Sequence, residues 1–222
     1  MVEELGRGAY AHVFLAREMA LGNRQVAVKV AMYDGQEAEM LGRLRHPHIV
    51  PIYSVQNDPQ TFLTAFCMPY LGRAVLGDVL DQLFAGPRPP RRADAILEAV
   101  RAANQNTDAS ELPPPHRHLR SGTYVEGVAY LGMRLAEALA YSHSQGICHR
   151  DLKPSNVLLS PCGEPLLLDF NASADGSCRA DRVGGTIDFM APEQLALLSG
   201  EHPDPRGSAY EPRSDLFSLG LM

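Results

Sequence analysis

The stretch His149-Arg150-Asp151-Leu152-Lys153-Pro154-Ser155-Asn156 sets three different polar groups within six residues. Asp151 can accept a hydroxyl proton or orient that hydroxyl. Lys153 can neutralise charge on a transferred phosphate. Asn156 offers a carbonyl oxygen to a hard cation such as Mg²⁺. Such a set suits phosphoryl transfer, where positioning and electrostatics carry most of the catalysis. A loop with only a structural task has no need of all three.

Working outward, Leu166-Leu167-Leu168-Asp169-Phe170-Asn171 reads as an apolar strand that delivers a carboxylate, Asp169, to the edge of a site. Carboxylate oxygen is the donor that Mg²⁺ prefers. Gly184-Gly185-Thr186 and Ala191-Pro192-Glu193 follow. Near the start stands Leu5-Gly6-Arg7-Gly8-Ala9-Tyr10-Ala11-His12-Val13. Two glycines one residue apart let backbone approach a phosphate closely, and they equally suit a plain hairpin turn. Lys29 closes Val26-Ala27-Val28-Lys29. In a strand, a lone lysine is ordinarily solvated; after a glycine turn it can also reach phosphate oxygens. Glu37 and Glu39 are the carboxylates that could hold it.

The first seventy residues are strand-rich. Residues 2–6 and 12–16 flank the glycine turn and read as a hairpin. The β-branched, alternating stretch 25–31 reads as a third strand. Met40, Leu41 and Leu44 give residues 37–45 a short helical pattern that Pro47 ends. Residues 49–55 and 61–68 read as two further strands. Beyond Gly72 the pattern turns helical, broken at 86–122 by Pro87, Pro89, Pro90 and Pro113 to Pro115. That polar, basic stretch reads as a flexible insertion or a Pro-rich docking peptide, with a short helix near 93–103. Residues 125–142 form a strong amphipathic helix, with Leu131, Leu135, Ala138 and Leu139 on one face. Short strands are expected at 157–159 and 166–168.

The 222 residues suffice for one sizeable core and are marginal for two independent domains. A net charge of −6 argues against a nucleic-acid partner. The four cysteines form no C-x-x-C pair, which points away from a zinc ribbon or disulfide framework and toward a reducing cytoplasm. His46, His48, His116 and His118 lack partners at metal-ligand spacing. No apolar run approaches the ~20 residues that span a bilayer, and no signal-peptide pattern opens the chain. The sequence stops inside the apolar stretch 216–222, which reads as part of a longer protein.

Taken in order, the glycine turn, Val-Ala-Val-Lys, His-Arg-Asp-Leu-Lys-Pro-Ser-Asn, Asp-Phe-Asn and Ala-Pro-Glu resemble the protein-kinase signature set, closest to bacterial kinases of the eukaryotic Ser/Thr type. The resemblance runs from Val2 to Met222 apart from the insertion. It implies an α+β, two-lobed fold: an N-lobe at 1–70 with five antiparallel strands and one helix, and an incomplete, mainly helical C-lobe at 71–222 interrupted at about 86–122. It implies Mg-ATP as cofactor and a protein serine or threonine as acceptor, with autophosphorylation in trans a further expectation. Lys153 and the Gly185-Thr186 pair favour Ser/Thr over Tyr. A cytoplasmic location is implied, or the cytoplasmic face of a membrane if the parent protein carries an anchor. A pseudokinase that keeps the fold as a nucleotide-binding or scaffolding module is the rival reading.

Residue by residue, the resemblance makes Asp151 the catalytic base and Lys153 a γ-phosphate contact. Asn156 and Asp169 become the Mg²⁺ ligands. Lys29 would hold the α- and β-phosphates and pair with Glu37, which stands at the family's usual offset from Pro47. Leu5, Gly6 and Gly8 would cover the nucleotide, and Val13, Ala27 and Leu158 would sandwich the adenine. Met68 resembles the gatekeeper, with the Pro69 carbonyl and Leu71 amide bonding the adenine edge. Phe170, His149, Leu41 and Ile52 would stack as a regulatory spine, and Ser214-Asp215 resembles the start of the helix that anchors the catalytic loop. Ala11 and Asn171 stand where the family usually has glycine. Seven residues between Lys29 and Glu37 make the helix bearing Glu37 short at its start. Ser173 and Ser177 are candidate regulatory sites. With no later helix to supply an arginine, Glu193 is expected to be unpaired.

Overall fold

The structure is a computed structural model that describes residues 2–8, 11–32, 41–104, 113–170, 187–199 and 212–222. It divides into two compact units. One lies within residues 1–46 and 50–70; the other takes 47–49 and most of the chain from 71 on.

The first unit is an antiparallel sheet of β1 (Glu3–Arg7), β2 (Ala11–Glu18), β3 (Arg24–Met32), β4 (Ser54–Asp58) and β5 (Leu63–Pro69), in the order β1-β2-β3-β5-β4. Residues directly opposite in antiparallel strands point to the same side, and the side alternates along each strand. Leu15 lies opposite Ala27 and Ala27 opposite Met68; Val13 lies opposite Lys29 and Lys29 opposite Phe66. These six residues therefore share one face. The register of β1 slips between Glu4 and Gly6. Leu5 is the extra residue of this irregularity, and Gly6 falls opposite Val13.

The strand expected at 49–55 starts later. Pro51 cannot donate to a ladder, and β4 begins only at Ser54. Ile49 instead bridges Leu167 in the second unit, where the Leu167 N–H donates to the His48 carbonyl. Of the helix expected over 37–45, residues 37–40 lie outside the described residues; Leu41 is helical, 42–43 form a turn, and 44–45 are not helical.

The second unit is mainly helical. Its helices are α1 (Leu76–Phe84), α2 (Asp94–Ala103), α3 (Arg117–Ser121), α4 (Tyr124–Ser144), α5 (Pro192–Leu198) and α6 (Pro212–Leu221), with a hairpin of β6 (Val157–Leu159) and β7 (Pro165–Leu167). Thr123 and Glu126 start α4 with a reciprocal capping box, each bonding the other's backbone N–H. Leu131, Leu135, Ala138 and Leu139 are buried along α4, as its periodicity predicts. No helix among the described residues is long and apolar enough to cross a membrane.

The segment expected as a flexible insertion is largely structured where it is described. The short helix near 93–103 is α2, and Ile96, Leu97, Ala99 and Val100 are buried on it, as is Leu119 on α3. A Cβ built at Gly163 would lie 2.7 Å from Leu97 Cδ2 and 2.8 Å from Leu119 Cδ1, so both leucines press on the β6–β7 turn. The prolines framing the segment mask this short apolar pattern in the sequence.

Candidate active site

The loop 149–156 follows α4 and precedes β6, and it is held by a residue far along the chain. Asp215, buried in the first turn of α6, accepts the N–H of His149 at 2.8 Å through Oδ2 and that of Arg150 at 2.8 Å through Oδ1. His143 Nε2, in the last turn of α4, hydrogen-bonds to Oδ2 at 2.7 Å. Burial alone would raise the Asp215 carboxyl. The hydrogen bond from His143, the nearby His149 ring and the two backbone N–H groups outweigh it and hold the carboxyl below its ordinary value. Cys148 also offers a ligand atom, and the three groups lie within 4.8 Å of one another. Two ligands of a tetrahedral cation with ~2.0–2.1 Å bonds sit about 3.3 Å apart. The 2.7 Å contact of His143 and Asp215 is a hydrogen bond that such a cation would have to break.

Arg150 has φ +68°, in the left-handed region that non-glycine residues rarely occupy. Both of its peptide groups are restrained: the N–H by Asp215, and the carbonyl by Gln194 Nε2 at 3.2 Å. Gln194 is buried on α5, and its Oε1 accepts the N–H of Ala191 at 2.9 Å. One amide side chain thus ties the loop to the segment before α5.

After this turn the three polar groups come together. Lys153 Nζ lies 2.8 Å from Asp151 Oδ2. Asn156 Nδ2 donates to the Asp151 carbonyl at 2.7 Å and to its Oδ2 at 3.2 Å. The amide nitrogen is spent inside the loop, so Oδ1 is the atom Asn156 can offer a cation. Asp169 has φ +51°, directly after Leu168, whose N–H donates to the Asn156 carbonyl at 2.9 Å. His149 is fully buried. Its Nε2 donates to the Leu168 carbonyl at 2.8 Å, and its ring lies 4.7 Å from that of Phe170. Burial holds the imidazole below its ordinary value, so it is neutral.

The matches to known proteins follow this geometry. Residues 117–222 match the protein kinase domain family. The chain is 26% identical over its whole length to the serine/threonine-protein kinase PknD of Protochlamydia amoebophila, covering 22% of that protein. It is 30% identical over 98% of its length to PknB of Mycobacterium leprae, covering 30% of it. It is 32% identical over 98% of its length to the DNA damage-responsive serine/threonine-protein kinase RqkA of Deinococcus radiodurans, covering 28% of it. Residues 117–222 belong to the protein kinase domain family. The chain spans less than a third of the length of these relatives.

Within this kinase domain the expected residues fall as follows. Lys153 and Asn156 each meet Asp151, and Asp169 follows Leu168, whose N–H hydrogen-bonds to the Asn156 carbonyl. In the first unit Val13, Ala27, Lys29 and Met68 share one sheet face, and Lys29 Nζ stands 5.9 Å from the centre of the Phe66 ring. A Cβ at Gly6 would meet nothing within 4 Å, and neither Gly6 nor Gly8 has positive φ. Neither the fold's own packing nor the backbone conformation demands glycine at Gly6. Pro69 ends β5. Leu71 precedes α1, and Leu158 on β6 bridges Val75. Glu37 lies outside the described residues, as do Asn171, Ser173 and Ser177. Of the spine residues, His149 and Phe170 pack with their rings tilted by 39°.

Glu193 does not stand unpaired. It accepts a hydrogen bond from Ser214 Oγ at 2.5 Å, because α6 places that hydroxyl beside α5. The parts played by Gln194 and His143 were not read from the sequence. Both act on backbone or side-chain groups far away in sequence. The one available signal was a histidine in the last turn of a helix, directly before the loop.

Proposed function

We propose that this chain transfers a phosphoryl group from Mg-ATP to serine or threonine hydroxyls of a protein. The observation that carries the reading is the loop at 149–156, restrained at both peptide groups of Arg150, in which Asp151, Lys153 and Asn156 converge. The named relatives, all serine/threonine-protein kinases, support it.

The residues fit the cofactor. Asn156 Oδ1 and the Asp169 carboxylate are hard oxygen donors of the type Mg²⁺ takes. Gly6 leaves room for an approaching phosphate. Bound Mg-ATP supplies the phosphoryl group and the positive charge that steadies it in transfer. Asp151 would orient the acceptor hydroxyl and take its proton as the new P–O bond forms and the bond from the γ-phosphorus to the departing ADP oxygen breaks. Lys153, beside Asp151, offers its ammonium to the oxygens of the group in transit. Lys29 offers its ammonium to the α- and β-phosphates, and Glu37 is its proposed partner. Val13, Ala27 and Met68, which share one sheet face, would offer apolar contacts to the base, and Leu158 is a further proposed contact. The Pro69 carbonyl and Leu71 N–H take its polar edge.

Among the described residues Cys67, Cys148 and Cys162 are in no disulfide. They support a reducing location, cytoplasmic or at the cytoplasmic face of a membrane. The partner is a protein bearing a Ser or Thr acceptor, including a second copy of the kinase.

The test is radiolabelled phosphate transfer to a generic Ser/Thr protein with Mg-ATP. Asp151→Ala is expected to lower the rate by about 10²-fold or more at an unchanged melting temperature. Undiminished turnover in that variant would remove Asp151 from the chemistry. No turnover in the unsubstituted chain, with nucleotide binding retained, would favour the pseudokinase.

A further inference from the structure

The residues between α1 and α4 take no part in phosphoryl transfer as described, yet their helices are built into the core of the second unit. The end of α2 reaches back to the segment that follows Leu71. Asn104, 8% exposed, closes the helix. Its N–H donates to the carbonyls of Val100 and Arg101 at 3.1 and 3.2 Å, and its Nδ2 donates to the Val100 carbonyl at 3.0 Å. This leaves Oδ1 to face away from the helix, where it accepts the N–H of Arg73 at 2.7 Å. Gly72, next to that N–H, has φ +104°, and a Cβ on it would lie 2.6 Å from Asn104 Oδ1 and 3.2 Å from Cγ. The carboxamide lies flush against the Gly72–Arg73 backbone. The next residues are pinned too: the Leu159 N–H donates to the Ala74 carbonyl at 2.7 Å, and Val75 bridges Leu158.

We infer that Asn104 is a positioning residue for the nucleotide: by holding the Gly72–Arg73 backbone, the α2 segment fixes the peptide plane of Leu71, whose N–H meets the adenine edge. This rests on the Mg-ATP reading above. Freeing the Arg73 N–H lets the preceding peptides turn. It leaves Asp151, Lys153 and Asn156, which sit on a separately anchored loop, as they are. The effect therefore falls on nucleotide affinity and spares the transfer step.

The test uses the full chain with Asn104→Leu, Asn104→Asp and Gly72→Ala. Leucine keeps the volume and loses the acceptor; aspartate keeps an acceptor for Arg73; alanine drives a Cβ onto Asn104 from the other side. Amide exchange over residues 72–75, read by mass spectrometry without nucleotide, is expected to speed up in Asn104→Leu and Gly72→Ala and to stay near the unsubstituted rate in Asn104→Asp. The Kd and KM for ATP are expected to rise about five- to tenfold in the first two, with kcat at saturating ATP within about twofold and Asn104→Asp substantially rescued. Unchanged exchange in both disruptive variants overturns the latch. Faster exchange with unchanged Kd, or a fall in kcat at constant KM, overturns its link to the nucleotide. Should Asn104→Leu fail to fold, the other two decide by the same readouts. If the unsubstituted chain binds no ATP, the Mg-ATP reading falls and takes the link with it, while the exchange data still decide the latch.

Discussion

Asp215 illustrates how a single carboxylate can set an active-site backbone. Two consecutive N–H groups and one imidazole converge on it inside the protein. Asp215→Ala strands those donors, at about 1–3 kcal/mol for each one left buried without an acceptor. Urea denaturation should show a loss of at least ~2 kcal/mol, whereas Asp215→Asn, which keeps one acceptor oxygen, should lose less. The same residues set a pH dependence. The imidazole of His149 is held below its ordinary value, so an unfolded chain binds a proton near pH 6.5 that the native chain refuses. Stability should therefore decline as pH falls below about 6.5. The depressed Asp215 carboxyl contributes stability that is complete above about pH 4 and lost as pH falls through its native value. Unfolding midpoints measured from pH 7.5 down to about pH 2 should show both declines, that of His149 first. A flat profile from 7 to 5 would contradict neutral burial of His149.

At the scale of elements, strands and long helices were legible because their signals are local. The alternation in 25–31 gave β3, and the spacing of Leu131, Leu135 and Leu139 gave α4. The signature residues Asp151, Lys153 and Asn156 were legible for the same reason, being neighbours in sequence. The late start of β4, the burial of α2 and the pairing of Glu193 with Ser214 were not, since each depends on a partner remote along the chain. The α2 segment makes a sharp test. Leu97→Ala should cost ~2–5 kcal/mol, the range for a buried leucine, whereas a flexible insertion would give almost nothing. Gly163→Ala should also destabilise, since its φ is +85° and its new methyl would strike Leu97 and Leu119. Combined with Leu97→Ala, its cost should shrink, a coupling that a double-mutant cycle would register.

Across the whole molecule, ligand binding offers a test that needs no turnover. A nucleotide that binds only the native chain stabilises it by about 2.7 kcal/mol at a hundredfold excess over Kd. Mg-ATP should raise the melting temperature of this kinase domain. Lys29→Met should reduce that shift while leaving the nucleotide-free melting temperature in place; a fall in the latter would make Lys29 structural instead. The anchoring of the 149–156 loop by Asp215 has a further consequence. The anchor is translated 65 residues after Arg150, the residue it holds. At ~5–20 residues per second, a ribosome needs several seconds to cover that distance. Throughout that interval the nascent loop lacks its carboxylate clasp, and Gln194, 44 residues after Arg150, is the only one of the two tethers that has been made before Asp215. The 149–156 backbone therefore reaches the geometry described above only after residue 215 has been made.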